Sequence, residues 1–157
     1  MVMHITGAAQ SMYRIDGAIK RDNARQWALP DRVFFAAGAC HILAYAFLER
    51  YPAAGFRPIW IKPHAGYTGN HIIATDGAAA FDYHGWSSLQ TLIAHAKAKA
   101  GRWWPGWNAE LIELPADVLV SERKSRTYDG LWLREPRQYQ HDALPRAHAF
   151  LRRFRAP

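Results

Sequence analysis

The chain reads as an α+β protein in which a buried helix lies on an antiparallel sheet. Three features carry this. Between Ala39 and Leu48 only His41 is strongly polar, and a helix that is apolar nearly all round is a buried one. Asn70 to Tyr83 consists of two apolar runs joined by Asp76-Gly77, the strongest short-range signal for a hairpin with a two-residue type I′ turn. The segments follow the order helix, strands, helix, strand, helices, which fits an α+β architecture.

Taken in order, residues 1–31 read as a short strand near Met12 to Ile15, then polar turns ending at Pro30. The apolar helix spans Gly38 to Tyr51 and is stopped by Pro52 and the Ala53-Ala54-Gly55 turn. Phe56 to Lys62 is a strand with Ile59 and Ile61 on one side and Trp60 on the other. Pro63 to Gly69 is a loop, and the hairpin follows. Ser87 or Ser88 caps a helix that runs to about Ala100, with Leu89, Leu92, Ile93 and Ala96 on its apolar stripe and Gly101 ending it. Trp103 to Trp107 is an aromatic turn, Asn108 to Leu114 a strand, and Pro115 to about Lys124 a short helix. Asp142 to Phe154 is the final helix, entered through Pro145.

At 157 residues the chain is expected to be one domain, 1–157, large enough to bury a core. Half of it is apolar or aromatic and 21% is charged, as in soluble globular proteins. No apolar run reaches the roughly 18 residues of a membrane span. Met1 to Asp22 lacks the apolar core of a signal peptide, so the expected location is cytoplasmic. The single cysteine excludes an internal disulfide framework and fits a reducing compartment.

The net charge is +7, with a sequence pI of about 9.9. The excess lies in two patches: Arg123, Lys124 and Arg126, and a C-terminal set of Arg134, Arg137, Arg146, Arg152, Arg153 and Arg155. Such patches are either solvated faces or a footprint for an anionic partner. The chain has no zinc-finger spacing, no RNP-like run and no P-loop.

The chemistry-bearing residues are Cys40, His71 and Asp82. Cys40 stands in the first turn of the apolar helix, where free N–H groups and the helix dipole favour a thiolate. The same N–H groups can stabilise an oxyanion. If Asp76 and Gly77 are the whole loop, Thr75 faces Ala78 and His71 faces Asp82. Facing side chains lie roughly 4.5–5.5 Å apart at Cβ on one face of the sheet. His71 can then take and return the thiol proton, while Asp82 fixes its ring. The other residues of that face, Ile73, Thr75, Ala78 and Ala80, are small or apolar enough for the buried helix to lie on it.

Each residue also has a plainer role open to it. Cys40 can be a small buried hydrophobe, His71 a structural strand-start histidine, and Asp82 an acid satisfied by turn amides. His41 adjoins Cys40, but consecutive helix residues point in different directions. His64 and His84 stay in reserve as partners for the thiol. His64, His71, Asp82 and His84 are also possible metal ligands, though no two of the histidines have zincin spacing. Trp103, Trp104 and Trp107 read as a core or rim cluster, with stacking on a sugar or base as the alternative.

Three segments resemble the papain-like cysteine hydrolase superfamily: Gly-Ala-Cys-His-Ile-Leu-Ala at 38–44, Asn-His-Ile-Ile-Ala at 70–74 and Phe-Asp-Tyr-His-Gly at 81–85. The nearest branches are the NlpC/P60-like amidases and peptidases and the transglutaminase-like proteins, which commonly carry Asp in the third place. The match covers about residues 33–86. The resemblance implies a papain-like α+β fold, with Cys40 as nucleophile, His71 as base and Asp82 as orienting acid. Two features depart from the pattern. Papain has an oxyanion-donating Gln six residues before its cysteine, and position 34 here is Phe. His41 stands where a Trp often follows the nucleophile. The donor role then falls to backbone N–H groups or to Gln10, Asn23 or Gln26.

The expected function is therefore a thiol-dependent hydrolase or acyl transferase acting on a peptide, amide or ester through a thioester. Peptidase, amidase and deamidase reactions all fit. This chemistry needs no cofactor and no metal. The rival is a non-catalytic binding module of the same fold whose basic C-terminal helix holds an anionic partner, nucleic acid included.

Overall fold

Aspartates that start helices shape the N-terminal third. The computed structural model describes residues 4, 5 and 13–157, with side chains from Ile15 onward. His4–Ile5 (β1) and Tyr13–Arg14 (β2) pair antiparallel. The strand expected near Met12 to Ile15 is thus present at Tyr13–Arg14, and Met12 lies outside the described residues. The polar turns expected next are instead short helices. Asp16 accepts the Ala18 N–H at 2.8 Å and opens α1 (Gly17–Arg21). Asp22 accepts the Arg25 N–H at 3.1 Å and opens α2 (Asn23–Trp27). Each carboxylate satisfies an N–H group that the first turn leaves free. A third helix, α3 (Asp31–Ala36), buries Val33, Phe34 and Phe35.

The apolar helix, α4 (Cys40–Arg50), starts two residues later than expected. Gly38 takes φ +123°, a conformation that only glycine adopts cheaply, and this breaks the chain between α3 and α4.

The strands are β3 (Arg57–Pro63), β4 (His71–Thr75), β5 (Ala79–Asp82), β6 (Gly85–Ser88) and β7 (Ala109–Glu113). The last four pairings form a five-stranded antiparallel sheet in the order β6-β5-β4-β3-β7. The hairpin, expected to end near Tyr83, is followed by a third strand, β6, at one edge of the sheet. Ser88 is the cap of α5 (Leu89–Trp103), accepting the Thr91 N–H at 3.0 Å. That helix runs through Gly101 and ends at Trp104, which is extended. The stop is Pro105, because the residue before a proline is driven out of the helical region. The expected helix at 115–124 is split into a 3-10 turn (Ala116–Val120) and α6 (Glu122–Ser125). A further 3-10 turn (Pro136–Gln138) precedes α7 (Ala143–Leu151), capped by Asp142.

The hairpin register differs from expectation. Thr75 faces Ala80 and Ala74 faces Phe81, two residues out of the expected pairing. A type I′ turn needs positive φ at both central residues, and among the described residues only glycines have it. Asp76 instead accepts the Ala78 and Ala79 N–H groups, both at 2.8 Å. Thr75 Oγ1 accepts the Gly77 N–H and donates to the Ala79 carbonyl. These side-chain bonds hold a wider loop. A shift of two preserves faces, so His71 and Asp82 still share one.

The helix on that face is not the expected one. α4 covers the opposite face, where Phe47 meets Phe81 and Ala74, and Ala44 meets Trp60 and Ile72. α7 packs on the outside of α4. The His71 face is covered by α5: Ile61, Ile73 and Ala80 pack with Leu92, Ala100 and Trp107. Residues 72–75 of β4 are all buried, so the apolar pattern alone does not say which helix takes which face.

Candidate active site

Three element ends meet at one end of the sheet. Cys40 opens α4 and is half-buried against the cluster containing Ala44, Trp60 and Ile72. His71 opens β4, opposite Ile61 of β3. Its approach is fixed by Asn70, which accepts the Trp60 indole N–H at 2.9 Å and donates to the Gly130 carbonyl at 3.1 Å. Asp82 closes β5. The start of β4 and the end of β5 bring the imidazole and carboxylate together, and the α4 N-terminus delivers the thiol around the end of the sheet.

His71 Nε2 lies 2.9 Å from Asp82 Oδ2. The ring packs edge-on against Tyr83, with centroids 5.5 Å apart. Its other nitrogen, Nδ1, is left free of Asp82, and the ring attracts the neighbouring Cys40 thiolate, with which it lines one cavity. Asp82 is 4% exposed. Its Oδ1 accepts the His84 backbone N–H at 2.9 Å and lies 3.2 Å from His84 Nδ1. The carboxylate is thus satisfied on both oxygens, by turn amide and imidazole together.

The electrostatics follow from those contacts. Burial pushes the Cys40 thiol up, but hydrogen bonds and attraction from His41 and His71 outweigh it and bring the pKa down to about 5. Burial pulls His71 down, while hydrogen bonds to Asp82 and Cys40 and the two negative charges raise it to about 10. Burial would raise Asp82, yet the His71 and His84 hydrogen bonds hold it well below the usual carboxylate range. Both shifts favour the thiolate of Cys40 and the imidazolium of His71 beside the buried carboxylate.

His41 is closer to this chemistry than helix geometry suggested. Cys40 is the first residue of α4, where the backbone is still turning into the helix, and the His41 ring helps to lower the pKa of the thiol. Its Nε2 lies 2.7 Å from the Arg134 carbonyl oxygen. His84 touches Asp82 rather than acting as an alternative base, and His64 is exposed and lines a different, smaller cavity.

Of the three side chains considered as oxyanion donors, Gln10 lies outside the described residues and Asn23 is exposed, accepting from Arg134 at 2.7 Å. Gln26 is 2% exposed and lines the same cavity as Cys40. Its Oε1 accepts from Arg134 Nη1 at 2.6 Å, which turns the amide nitrogen the other way. A Cβ built on Gly38 would stand 2.9 Å from that nitrogen, so glycine is what lets the amide approach the turn before Cys40. Tyr139 also donates to the Gly38 carbonyl at 2.5 Å. No side chain caps the α4 N-terminus at Ala39, so its opening N–H groups have no side-chain acceptor.

Protein-family models, curated proteins and solved structures contain no match to this chain.

The cavity holding these groups measures about 730 Å³. Cys40, His41 and Gln26 lie toward its α4 side, and α5 supplies the opposite wall. Trp103, Trp104 and Trp107 all line it. Trp107 is buried and donates to the Thr68 carbonyl at 2.9 Å, whereas Trp103 is 40% exposed at the rim.

Within the basic C-terminal patch Arg134 and Arg146 are half-buried, while Arg137, Arg152, Arg153 and Arg155 are exposed. Arg146 donates to Asp31 and to the Trp27 and Leu29 carbonyls at 2.7–2.8 Å and lies over the Phe34 ring. Arg153 pairs with Asp31, and Arg134 holds Gln26 and Asn23 and bonds the Gln138 carbonyl. Among the described residues, no three or more His, Cys, Asp or Glu side chains converge as a metal-ligand set. No helix among them is long and apolar enough to cross a membrane.

Proposed function

We propose that the chain is a thiol hydrolase or acyl transferase of papain-like architecture, acting on an amide or ester through Cys40, His71 and Asp82. One observation carries this reading: a half-buried cysteine lines a substrate-sized cavity with an imidazole that is itself held by a buried carboxylate, and that imidazole attracts its thiolate. Structural cysteines gain nothing from such a chain of partners. Nucleophilic ones need each member.

The thiolate of Cys40 attacks the carbonyl carbon. A C–S bond forms and the carbonyl electrons move to oxygen. The Gln26 amide and the opening N–H groups of α4 are the available donors to that oxyanion. Collapse breaks the C–N or C–O bond, and the leaving group takes the proton from His71 Nδ1. The now neutral His71 accepts a proton from water or an amine, which attacks the thioester and releases Cys40 as thiolate. Asp82 keeps Nε2 protonated throughout, so that Nδ1 carries out each transfer. The open choice between water and amine covers peptidase, amidase, deamidase and transferase outcomes.

The test uses a generic acyl donor. With p-nitrophenyl acetate, intact-protein mass spectrometry should show one acetyl group on Cys40 near pH 7. Cys40→Ser and His71→Ala should lose it while keeping their circular dichroism. A folded wild-type protein that gains no acetyl group at Cys40 would overturn the proposal.

A further inference from the structure

The cavity contains a charged group that the thiol chemistry leaves unused. α5 lines it with Thr91, His95 and Lys99, spaced four residues apart and so on one helical stripe. Lys99 is 6% exposed. Among the described residues, its Nζ is the one buried side-chain nitrogen or oxygen without a hydrogen-bond partner. Asp82 attracts it through space, but both Asp82 oxygens are engaged by His71 and His84. The cavity lining includes the apolar Leu92, Ala100 and Trp107, and none of its polar groups bonds Nζ. Burial accordingly holds the ammonium below the usual lysine range.

A buried unpaired ammonium costs stability. No hydrogen bond within the chain offsets that cost and Asp82 acts on the ammonium only through space, whereas an acceptor entering the cavity would bond Nζ directly. We propose that Lys99 is a specificity residue that pairs with a carboxylate carried by the substrate, a few bonds from the carbonyl that Cys40 attacks. This rests on the thiol acyl-transfer reading. The ligand is a monoanion: one ammonium in an apolar wall balances one charge, and a phosphate dianion calls for a cluster of donors. With no hydrogen bond of its own to break, Lys99 can rotate its terminal torsions toward an incoming carboxylate.

The test is a matched series of N-acetyl ω-amino acids, from N-acetylglycine to 6-acetamidohexanoic acid, each compared with its methyl ester. Binding to the intact protein is followed by tryptophan fluorescence, since four tryptophans line the cavity. A charge-assisted hydrogen bond predicts that the acid of best-fitting length binds about tenfold tighter than its ester. Lys99→Met, which suits the apolar wall, should abolish the preference, and Lys99→Gln serves the same comparison should the first variant misfold. Equal binding of acid and ester at every length, or a preference that survives loss of the lysine, would overturn the proposal. Iodoacetamide labelling of Cys40 in the same proteins separates the two ideas. An inert Cys40 with an intact acid preference sinks the thiol chemistry and leaves a carboxylate site. A reactive Cys40 without acid preference sinks only the role of Lys99.

Discussion

His71 and Asp82 meet on a diagonal of the hairpin. Their side chains are 2.9 Å apart, yet the strands pair Thr75 with Ala80 and Ala74 with Phe81, a register that does not set the two residues opposite each other. Diagonal neighbours on one face are within reach of long and ring-bearing side chains. The arrangement leaves room for Asp82 Oδ1 to take the His84 amide while Oδ2 takes the imidazole.

Asp82→Asn separates those two duties. An amide oxygen can keep the His84 N–H, so the fold should persist. The amide NH2 then faces His71 Nε2 and forces it to accept, which moves the neutral ring's proton to Nδ1, toward Cys40. That tautomer cannot act as base, and turnover should fall by about 10²–10⁴. Circular dichroism and thermal melting should change little. A turnover within twofold of wild type would remove Asp82 from the mechanism.

The thiol should report its partners directly. Alkylation of Cys40 by iodoacetamide needs the thiolate, which exists above the thiol pKa. Its rate should rise through about pH 5, far below the ordinary thiol value of 9.0. His71→Ala should move that midpoint up, although the remaining His41 contact keeps it under the unfolded value. Acyl transfer also needs the imidazolium, which exists below the His71 pKa. The kcat/KM profile should therefore rise near 5 and fall near 10. A profile that tracks an unfolded control would show that the contacts do not tune the thiol.

What was legible in the sequence was local. The buried helix came from an apolar run in which only His41 is strongly polar, and the shared face of His71 and Asp82 from the hairpin, whose faces survive a shift of two. The register itself did not, because Asp76 and Thr75 bond the turn backbone through their side chains in place of a two-residue loop. The helices that Asp16 and Asp22 cap read as polar turns, because each has only five residues and a single buried one, Ile19 and Gln26, too little pattern to signal a helix. The choice of α5 rather than α4 for the His71 face was illegible, since β4 is buried on both sides. So were the long-range contacts of the Arg134 region, whose carbonyl receives His41 and whose guanidinium fixes Gln26; these join residues with no shared local signal.

Arg146 should behave as a structural residue. It is mostly buried, pairs with Asp31, and satisfies the carbonyls that follow α2. Removing it leaves the Trp27 and Leu29 carbonyls without that donor and Asp31 with Arg153 alone. Arg146→Ala should cost about 3 kcal/mol in denaturant unfolding, whereas Arg152→Ala, at an exposed position, should cost less than about 0.5 kcal/mol. Equal small effects would return Arg146 to the solvated basic face.

Gln26→Glu tests the oxyanion donor with least disturbance to packing. The side chain keeps its size, and a carboxylate is a better partner for Arg134, whose Nη1 already lies 2.6 Å from Oε1. The variant should therefore fold, with a melting temperature at or above that of wild type. What it loses is the N–H pair beside Gly38. It also places a carboxylate where the carbonyl oxygen gains negative charge. Loss of one oxyanion donor lowers kcat by about 10²–10³. Iodoacetamide reacts by displacement at a saturated carbon and forms no oxyanion, so most of its rate should remain. A large fall in acyl transfer with alkylation kept within a few-fold is the expected signature. If both rates fall together, Gln26 acts by placing Cys40. If neither falls, the opening amides of α4 stabilise the oxyanion without it.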